Sequence, residues 1–300
     1  MDQAAARDNP LMRLAARRVA VPYLFIAPAL TLSTLVMLYP LVYSLWLSTQ
    51  RYSLKRPGEF TFVGARNYLN VLDDSVFWTS LGNTGMYMLG AVTLEFVLGF
   101  GLALLLNRGG RGQGALRTSF LIPIVLTPVV AALIATYMLN ADFGIINYLL
   151  GRQVLWLGDP RWAMASIILL DVWRTTPFVF LVLLAGLQSI PAERYEAAAL
   201  DGAGWLAAFR YITVRHLRTL IMIVLIIRVM DVFREFDTPF VLTGGGPGTA
   251  TEMVALYTYR VGFKFLDMGY AAALSFAMLS IVLVICYGFV RQLQAARQDA

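Results

Sequence analysis

The sequence predicts an all-α integral membrane protein with six transmembrane helices. Three observations carry this reading. Of the 300 residues, 59% are hydrophobic and only 14% are charged. An average soluble domain carries roughly 25% charge, so this chain lacks the polar surface to cover itself in water. The mean hydropathy is +0.67. The apolar residues fall in six runs of the length, about 20 residues, that crosses the hydrocarbon core of a bilayer as a helix. A soluble globular protein, a disordered tail and a collagen-like fibre are excluded on this composition. The net charge of +6, from 24 basic and 18 acidic residues, is spread over short segments between the apolar runs. That distribution suits membrane topology rather than nucleic-acid binding.

Residues 1–21 form a basic N-terminal segment. The first span lies near 22–48, within an uncharged stretch between Arg18 and Arg51. It is too long and too late for a cleaved signal peptide. Pro22, Pro28 and Pro40 are tolerable where neighbours or waters satisfy the freed carbonyls. The polar stretch Thr49 to Asn83, with a turn at Arg56-Pro57-Gly58, reads as a loop with short helices. The second span, near 84–106, holds one acid, Glu95. Arg108–Gly114 is rich in Gly and Arg, but Gly114 is followed by Ala115 and Leu116. A Walker loop needs Lys and then Ser or Thr there, so this reads as a turn and the chain carries no nucleotide-binding loop.

Further spans are expected near 118–140, 163–187, 219–238 and 268–290, followed by a tail over 291–300. The fourth contains Asp171 and Arg174, and the fifth becomes charged halfway, with Arg228, Asp231, Arg234, Glu235 and Asp237. Cys286, in the sixth, is the single cysteine of the sequence, so no intrachain disulfide is possible. His216 has no neighbouring ligand pattern, and no nucleophile–base arrangement or cofactor motif is present.

An even number of spans puts both termini on one side. Basic residues in short loops decide which side. An inside N-terminus places Arg7, Arg13, Arg17, Arg18, Arg108, Arg111, Arg117, Arg194, Arg210, Arg215, Arg218, Arg291 and Arg297 in the cytoplasm. Fewer fall outside: Arg51, Lys55, Arg56, Arg66, Arg152, Arg161, Arg260 and Lys264. Both termini and the segment 188–218 are therefore expected in the cytoplasm.

Charges inside spans are functional suspects by default. Asp171 with Arg174, Arg228 with Asp231, Asp231 with Arg234, and Arg234 with Asp237 share the i,i+3 spacing at which helical side chains meet. Two readings stay open. One is structural pairing, within the chain or with a sister subunit. The other is a polar lining for a hydroxyl-rich solute, to which Asn83, Tyr87, Glu95, Trp173 and Asp231 would add hydrogen-bond partners and flat aromatic faces.

The segment 188–218 differs from the other loops. Pro191 suits a first helical turn, Glu193 complements its positive end, and the alanines that follow drive a helix. Gly202 and Gly204 bend or end it. Small residues permit close approach of another surface, and Glu196 and Asp201 offer acceptors to a basic partner. A loop helix lying on the membrane interface is the plainer alternative.

These residues carry a resemblance. Ile190-Pro191-Ala192-Glu193-Arg194-Tyr195-Glu196-Ala197-Ala198-Ala199-Leu200-Asp201-Gly202-Ala203 resembles the EAA loop of ABC importer permeases, best in the MalF- and UgpA-like sugar branch. Trp173-Arg174-Thr175-Thr176-Pro177-Phe178 and Leu183–Gln188 lead into it as in that family. Phe236-Asp237 and Leu242-Thr243-Gly244-Gly245-Gly246-Pro247-Gly248 follow in the family's order. Phe62–Tyr68, Leu121-Ile122-Pro123, Ala27-Pro28-Ala29 and Tyr39-Pro40 extend the likeness over nearly the whole chain.

The resemblance implies a type I (MetI-like) permease fold and a subunit that imports a sugar or polyol. It implies a second permease, two copies of an ATP-binding subunit and an extracytoplasmic sugar-binding protein as partners, with membrane lipid and no nucleic acid. Glu196, Ala197, Ala198, Asp201, Gly202 and Ala203 would couple to the ATP-binding subunit. Gly244, Gly245, Gly246 and Pro247 are the candidate contact for the binding protein, an ordinary turn being the alternative. One departure stands out: the family's prolines after this loop are replaced by Arg215 and Thr219, so the chain is expected to run straighter into the fifth span. A stand-alone ion-coupled carrier has no use for such a loop, and a membrane-embedded enzyme lacks its catalytic constellation.

Overall fold

The computed structural model describes residues 10–107 and 113–298. Arg7, Arg108 and Arg111 lie outside the described residues, as does most of the Arg108–Gly114 turn. Helix α1 (Pro10–Ser48) runs into a short antiparallel hairpin, β1 (Gln50–Arg51) and β2 (Thr61–Phe62), with Gln50 opposite Phe62. Helices α2 (Arg66–Asp73) and α3 (Ser75–Asn107) follow. Then come α4 (Gln113–Val125), α5 (Pro128–Met138), α6 (Ile145–Leu150) and α7 (Pro160–Gln188). The expected cytoplasmic segment holds α8 (Ala192–Leu200) and α9 (Trp205–Ala208), and a π-helical turn over Phe209–Val214 leads into α10 (Arg215–Arg234). The chain closes with α11 (Asp237–Leu242), α12 (Val254–Tyr259), a π-helical turn over Arg260–Lys264 and α13 (Met268–Gln298).

Four described helices are long and apolar enough to cross a membrane: Phe25–Ser48 of α1, α3, α7, and Met268–Gln294 of α13. The run expected as one span over 118–140 is instead two helices, Arg117–Val125 and Pro128–Met138, meeting at 97°. Proline explains the break. Thr127 precedes Pro128 and is extended, at φ −65° and ψ 147°, because a proline ring crowds the preceding residue out of the helical region. Pro123 removes a further amide donor within α4. α10, which covers most of the expected fifth span, is not among these candidates. It ends at Arg234, and Glu235 is extended before α11 begins, so the run expected over 219–238 is interrupted.

Two boundaries move for other reasons. α3 starts at Ser75, inside the stretch expected to be loop. Asp74 caps it, its Oδ1 accepting from the amides of Val76 at 2.8 Å and Phe77 at 3.2 Å. At the other junction, the chain stays helical from Trp205 to Arg234 without a proline kink, as the replaced prolines lead one to expect. A π turn, which adds a residue to the helical repeat, takes the place of the kink.

The core forms where small residues let helices touch. A Cβ on Gly99 of α3 would lie 2.9 Å from the Val179 side chain and 3.0 Å from the Phe180 amide of α7. A Cβ on Gly186 of α7 would lie 2.5 Å from Leu217 and Leu220 of α10. Around these contacts Phe180, Leu183, Leu187, Leu217 and Val224 are buried together. Such close approach replaces the hydrophobic effect as the source of helix association in lipid. α1 takes little part: of its Phe25–Ser48 stretch only Leu47 and Ser48, at the C-terminal end, are buried inside the chain.

Polar clamps hold the end of the bundle that carries the hairpin. Asn67 donates to the carbonyls of Ser48 at 2.8 Å and Gln50 at 2.9 Å, and the hydroxyls of Tyr68 and Ser48 meet at 2.7 Å. Asp74 Oδ2 accepts from Tyr257 at 2.5 Å and Tyr270 at 2.6 Å, tying α3 to α12 and α13. Burial pushes the Asp74 carboxyl up, but the two phenols and the amides of Phe77 and Val76 outweigh it and hold it below its ordinary value.

Two outcomes follow. Gly99→Leu overpacks the α3–α7 contact and should cost about 1–3 kcal/mol or more, read as a lower unfolding temperature in detergent. Because the folded Asp74 carboxyl is depressed, its stabilisation is present at neutral pH and is lost only as pH falls below the ordinary carboxylate range, about 3.9. Hydrogen exchange over residues 254–270 should therefore stay slow from neutrality down to that range and quicken below it, while Asp74→Asn should quicken it at neutral pH.

Candidate functional site

The charges that the sequence places inside the spans converge on one residue. Arg228 of α10 is only 3% exposed. Its Nε and Nη2 each donate to Glu95 of α3 at 2.7 Å, and Nη2 also donates to Asp171 of α7 at 2.7 Å. Asp171 accepts in turn from Arg174 at 2.8 Å and from the Thr175 hydroxyl at 3.1 Å. Arg174 approaches Glu235 at 3.7 Å. Asp231 lies 3.9 Å from Arg228 and pairs with Arg234 at 2.6 Å. Glu95, Asp171 and Tyr87 are buried around the guanidinium. The fork of an arginine matches two carboxylate oxygens at once, which a lysine does not.

Three of the four i,i+3 pairs read from the sequence are thus in place. Arg234 and Asp237 form no ion pair among the described residues, because the helix carrying Arg234 ends before Asp237 starts another. The pair between Glu95 and Arg228 spans 133 residues and no spacing rule reaches that far. In the sequence Glu235 is only one charge of the fifth run. Its place at the helix end, beside Arg174, comes from the tertiary fold.

A cavity of about 500 Å³ opens beside this network. Its lining includes Arg174, Thr175, Arg228, Asp231, Arg234 and Glu235, together with Ile124 and Pro128 from the two limbs of the α4–α5 bend. The remaining candidates sit elsewhere. Asn83 donates to the carbonyls of Thr249 at 2.8 Å and Glu252 at 3.0 Å, so it braces the glycine-rich loop. Trp173 is half exposed and lines apolar cavities beside Leu169 and Val172. Asp237 is half buried in the first turn of α11. Tyr87 and Glu95 lie behind the network rather than on the cavity wall.

The glycine-rich loop is pinned from several sides. Gly244 and Gly245 have φ of 58° and 90°, a region that favours glycine. A side chain on Gly245 would collide with the Glu252 carboxylate. Glu252 pairs with Arg260 at 2.7 Å, and Arg260 also donates to the Gly244 carbonyl at 2.7 Å. The Thr251 hydroxyl donates to the carbonyl of Gly246 at 2.7 Å, so the loop carrying Gly246 and Pro247 is held in shape. Burial raises the Glu252 carboxyl above its ordinary value, against the pull of Arg260 and Lys264.

The segment 188–218 presents an unpartnered surface. No residue of α8 is buried, and Leu200 is 90% exposed. Glu196, Ala197 and Asp201 are exposed, while Ala198 and Ala203 are half buried. Gly202 ends α8 at φ 75°, and the amides of Gly202 and Ala203 reach back to the carbonyls of Ala199 at 3.1 Å and Ala198 at 2.9 Å. This paired closure requires a left-handed residue, usually glycine. Behind the exposed face, Tyr195 bonds Thr213 at 2.8 Å and Ser189 bonds His216 at 3.2 Å. The segment is thereby tied to the ends of α7 and α10. Among the described residues no cluster of three metal-ligating side chains occurs.

Comparison with known proteins agrees with this layout. The family described as binding-protein-dependent transport system inner membrane component matches residues 95–299. A probable ABC transporter permease, y4oQ of Sinorhizobium fredii, is 41% identical over 89% of this chain and 88% of its own length. The trehalose/maltose transport system permease MalF of Thermococcus litoralis is 39% identical over 94% of this chain and 96% of its own. In fold, a chain of the bacterial ABC transporter that imports the acidic polysaccharide alginate superposes with a TM-score of 0.81. It is 22% identical, over 95% of this chain and 98% of that one. The chain belongs to the family of inner-membrane components of binding-protein-dependent transport systems, the permeases of ABC importers, and has their MetI-like helical fold.

Proposed function

We propose that this permease forms half of a translocation pathway for an uncharged sugar or related polyol and draws its energy from two copies of a separate ATP-binding subunit through residues 188–218. The observation that carries the proposal is the exposed face of α8, closed by Gly202 and tied through Tyr195 and Thr213 to the helix that bears Arg228. A face of small residues flanked by Glu196 and Asp201 suits a basic groove on a partner. Its ties to α7 and α10 would carry a displacement into the bundle. On this reading the segment and both termini are cytoplasmic.

The carbohydrate class is supported by the trehalose/maltose permease among the relatives. The charge pattern narrows it. Each of the three arginines on the cavity wall has a carboxylate partner: Arg174 with Asp171 and Glu235, Arg228 with Glu95 and Asp171, and Arg234 with Asp231. A phosphate or carboxylate on the ligand would have to displace one of these, whereas hydroxyls bond to groups of either sign. In this proposal the α4–α5 bend opens the pathway and Asp231, half exposed on the wall, meets the solute. The Gly244–Pro247 loop on the opposite side receives the sugar-binding protein. The uncovered α1 meets lipid and a second, different permease.

Two experiments test this. In the assembled importer reconstituted with its binding protein, Gly202→Trp and Glu196→Lys should abolish sugar uptake and sugar-stimulated ATP hydrolysis while the complex still assembles. Normal uptake by both variants would remove the segment from the mechanism. Arg228→Met leaves the buried Glu95 without its cation and Asp171 with Arg174 alone, and should destabilise the permease by about 3–5 kcal/mol, seen as a lower unfolding temperature and lost uptake. Glu95→Gln, which keeps a hydrogen-bond acceptor, should cost less.

A further inference from the structure

A second cavity, of about 560 Å³, opens where α3 ends against α8 and α9, and the transport reading makes no use of it. Its walls are Gly101, Leu104 and Leu105 from the last turns of α3, with Trp205 and Phe209 facing them. The rings of Trp205 and Phe209 stack at 5.5 Å between centroids. Tyr195 lines it from the inner side of α8, away from the face left free for a soluble partner, and packs on the core. The volume falls in the range of small-ligand sites, roughly 300–1,000 Å³. It equals roughly one turn of helix with its side chains, too little for a partner helix to lie in.

The surroundings select the occupant. The apolar run of α3 stops at Asn107, which also lines the cavity, so the site sits where hydrocarbon gives way to headgroups. Tryptophan and tyrosine favour that depth. Basic residues flank it along the chain. Arg117 donates to the carbonyl of Leu106 at 3.1 Å, which holds its guanidinium at the end of α3. Arg194 and Arg210 adjoin the lining residues Tyr195 and Phe209 in sequence and are exposed, the Arg210 guanidinium lying over the Tyr211 ring at 5.9 Å. The acids of this stretch are Glu193 and Glu196 of α8 and Asp201 at its end. Basic residues beside an apolar slot at the cytoplasmic surface attract anionic lipid.

We infer that this cavity binds an anionic phospholipid of the inner leaflet, one acyl chain against Leu104, Leu105 and Phe209 and its phosphate facing Arg117, Arg194 and Arg210. The inference rests on the cytoplasmic placing of residues 188–218. A lipid there braces the end of α3 against the Tyr195–Thr213 tie, and so stiffens the coupling segment.

The test uses the assembled importer in vesicles of phosphatidylcholine with phosphatidylglycerol carrying a photoactivatable acyl chain. Crosslinks are expected at residues 101–107 and 205–209, and phosphatidylglycerol should remain bound after mild-detergent extraction. A Cβ on Gly101 would meet nothing within 4 Å, so Gly101→Phe fills the slot without disturbing its own helix and should lose the retained lipid. Arg210→Gln should retain less. Crosslinks confined to other helices in the wild type would overturn the proposal, as would equal retention by Gly101→Phe or equal labelling by phosphatidylcholine. Should Gly101→Phe fail to assemble, the wild-type crosslink map decides alone. Sugar uptake by the wild type is scored separately, so failure of the transport reading shows as lost uptake with the lipid result still legible.

Discussion

A single guanidinium ties the transmembrane bundle together. Arg228 reaches Glu95 and Asp171 at 2.7 Å each, which means that α3, α7 and α10 must all be present, at one depth and in one rotation, for any of these charges to be admissible. Buried charges contribute little net stability when paired and cost much when they are not. Their effect here is to fix register. Apolar packing in lipid does not select one rotation strongly, since lipid tails are as apolar as leucine. The close contacts at Gly99 and Gly186 follow from the same alignment.

This constraint also shapes how the protein can move. Helices joined by short, charge-assisted bonds in a low dielectric move as one body, because sliding one past another would strand a charge. The proposed coupling therefore has a defined geometry: the segment that carries α8, tied at Tyr195 and Ser189, pushes on a block rather than on one flexible helix. The segments outside that block differ in kind. α1 buries only Leu47 and Ser48 of its Phe25–Ser48 stretch within the chain, and the α4–α5 elbow faces the cavity. Irregular backbone at membrane depth is tolerated only where it is buried in protein or lines a wet cavity, and the elbow meets that condition.

Much of this was legible in the sequence, for identifiable reasons. Hydropathy located the apolar runs because the bilayer imposes a length, and i,i+3 spacing found the Asp171–Arg174 pair because both residues ride one helix. The small-residue run at 196–203 marked the exposed helix. What stayed hidden depended on contacts far apart in the chain. Nothing local to Glu95 announces Arg228, and nothing local to Asn83 says that it braces Thr249 and Glu252 rather than facing a solute. The break at Thr127 was readable in principle, since Pro123 and Pro128 stand in the sequence. Hydropathy averages over them, and so predicts a straight helix. The end of α10 before Glu235 has no such marker.

The order of the network along the chain bears on biosynthesis. Arg228 belongs to the fifth expected span, and its two buried partners, Glu95 and Asp171, belong to the second and fourth. A chain made from its N-terminus delivers the acids to the membrane before the arginine emerges. The apolar runs that hold them enter on hydropathy alone. The charged α10, which by itself is a poor substrate for lateral release into lipid, then meets a site of matching charge already in place. Insertion of this helix would in that sense be templated by the earlier ones, the acids preceding their arginine along the chain.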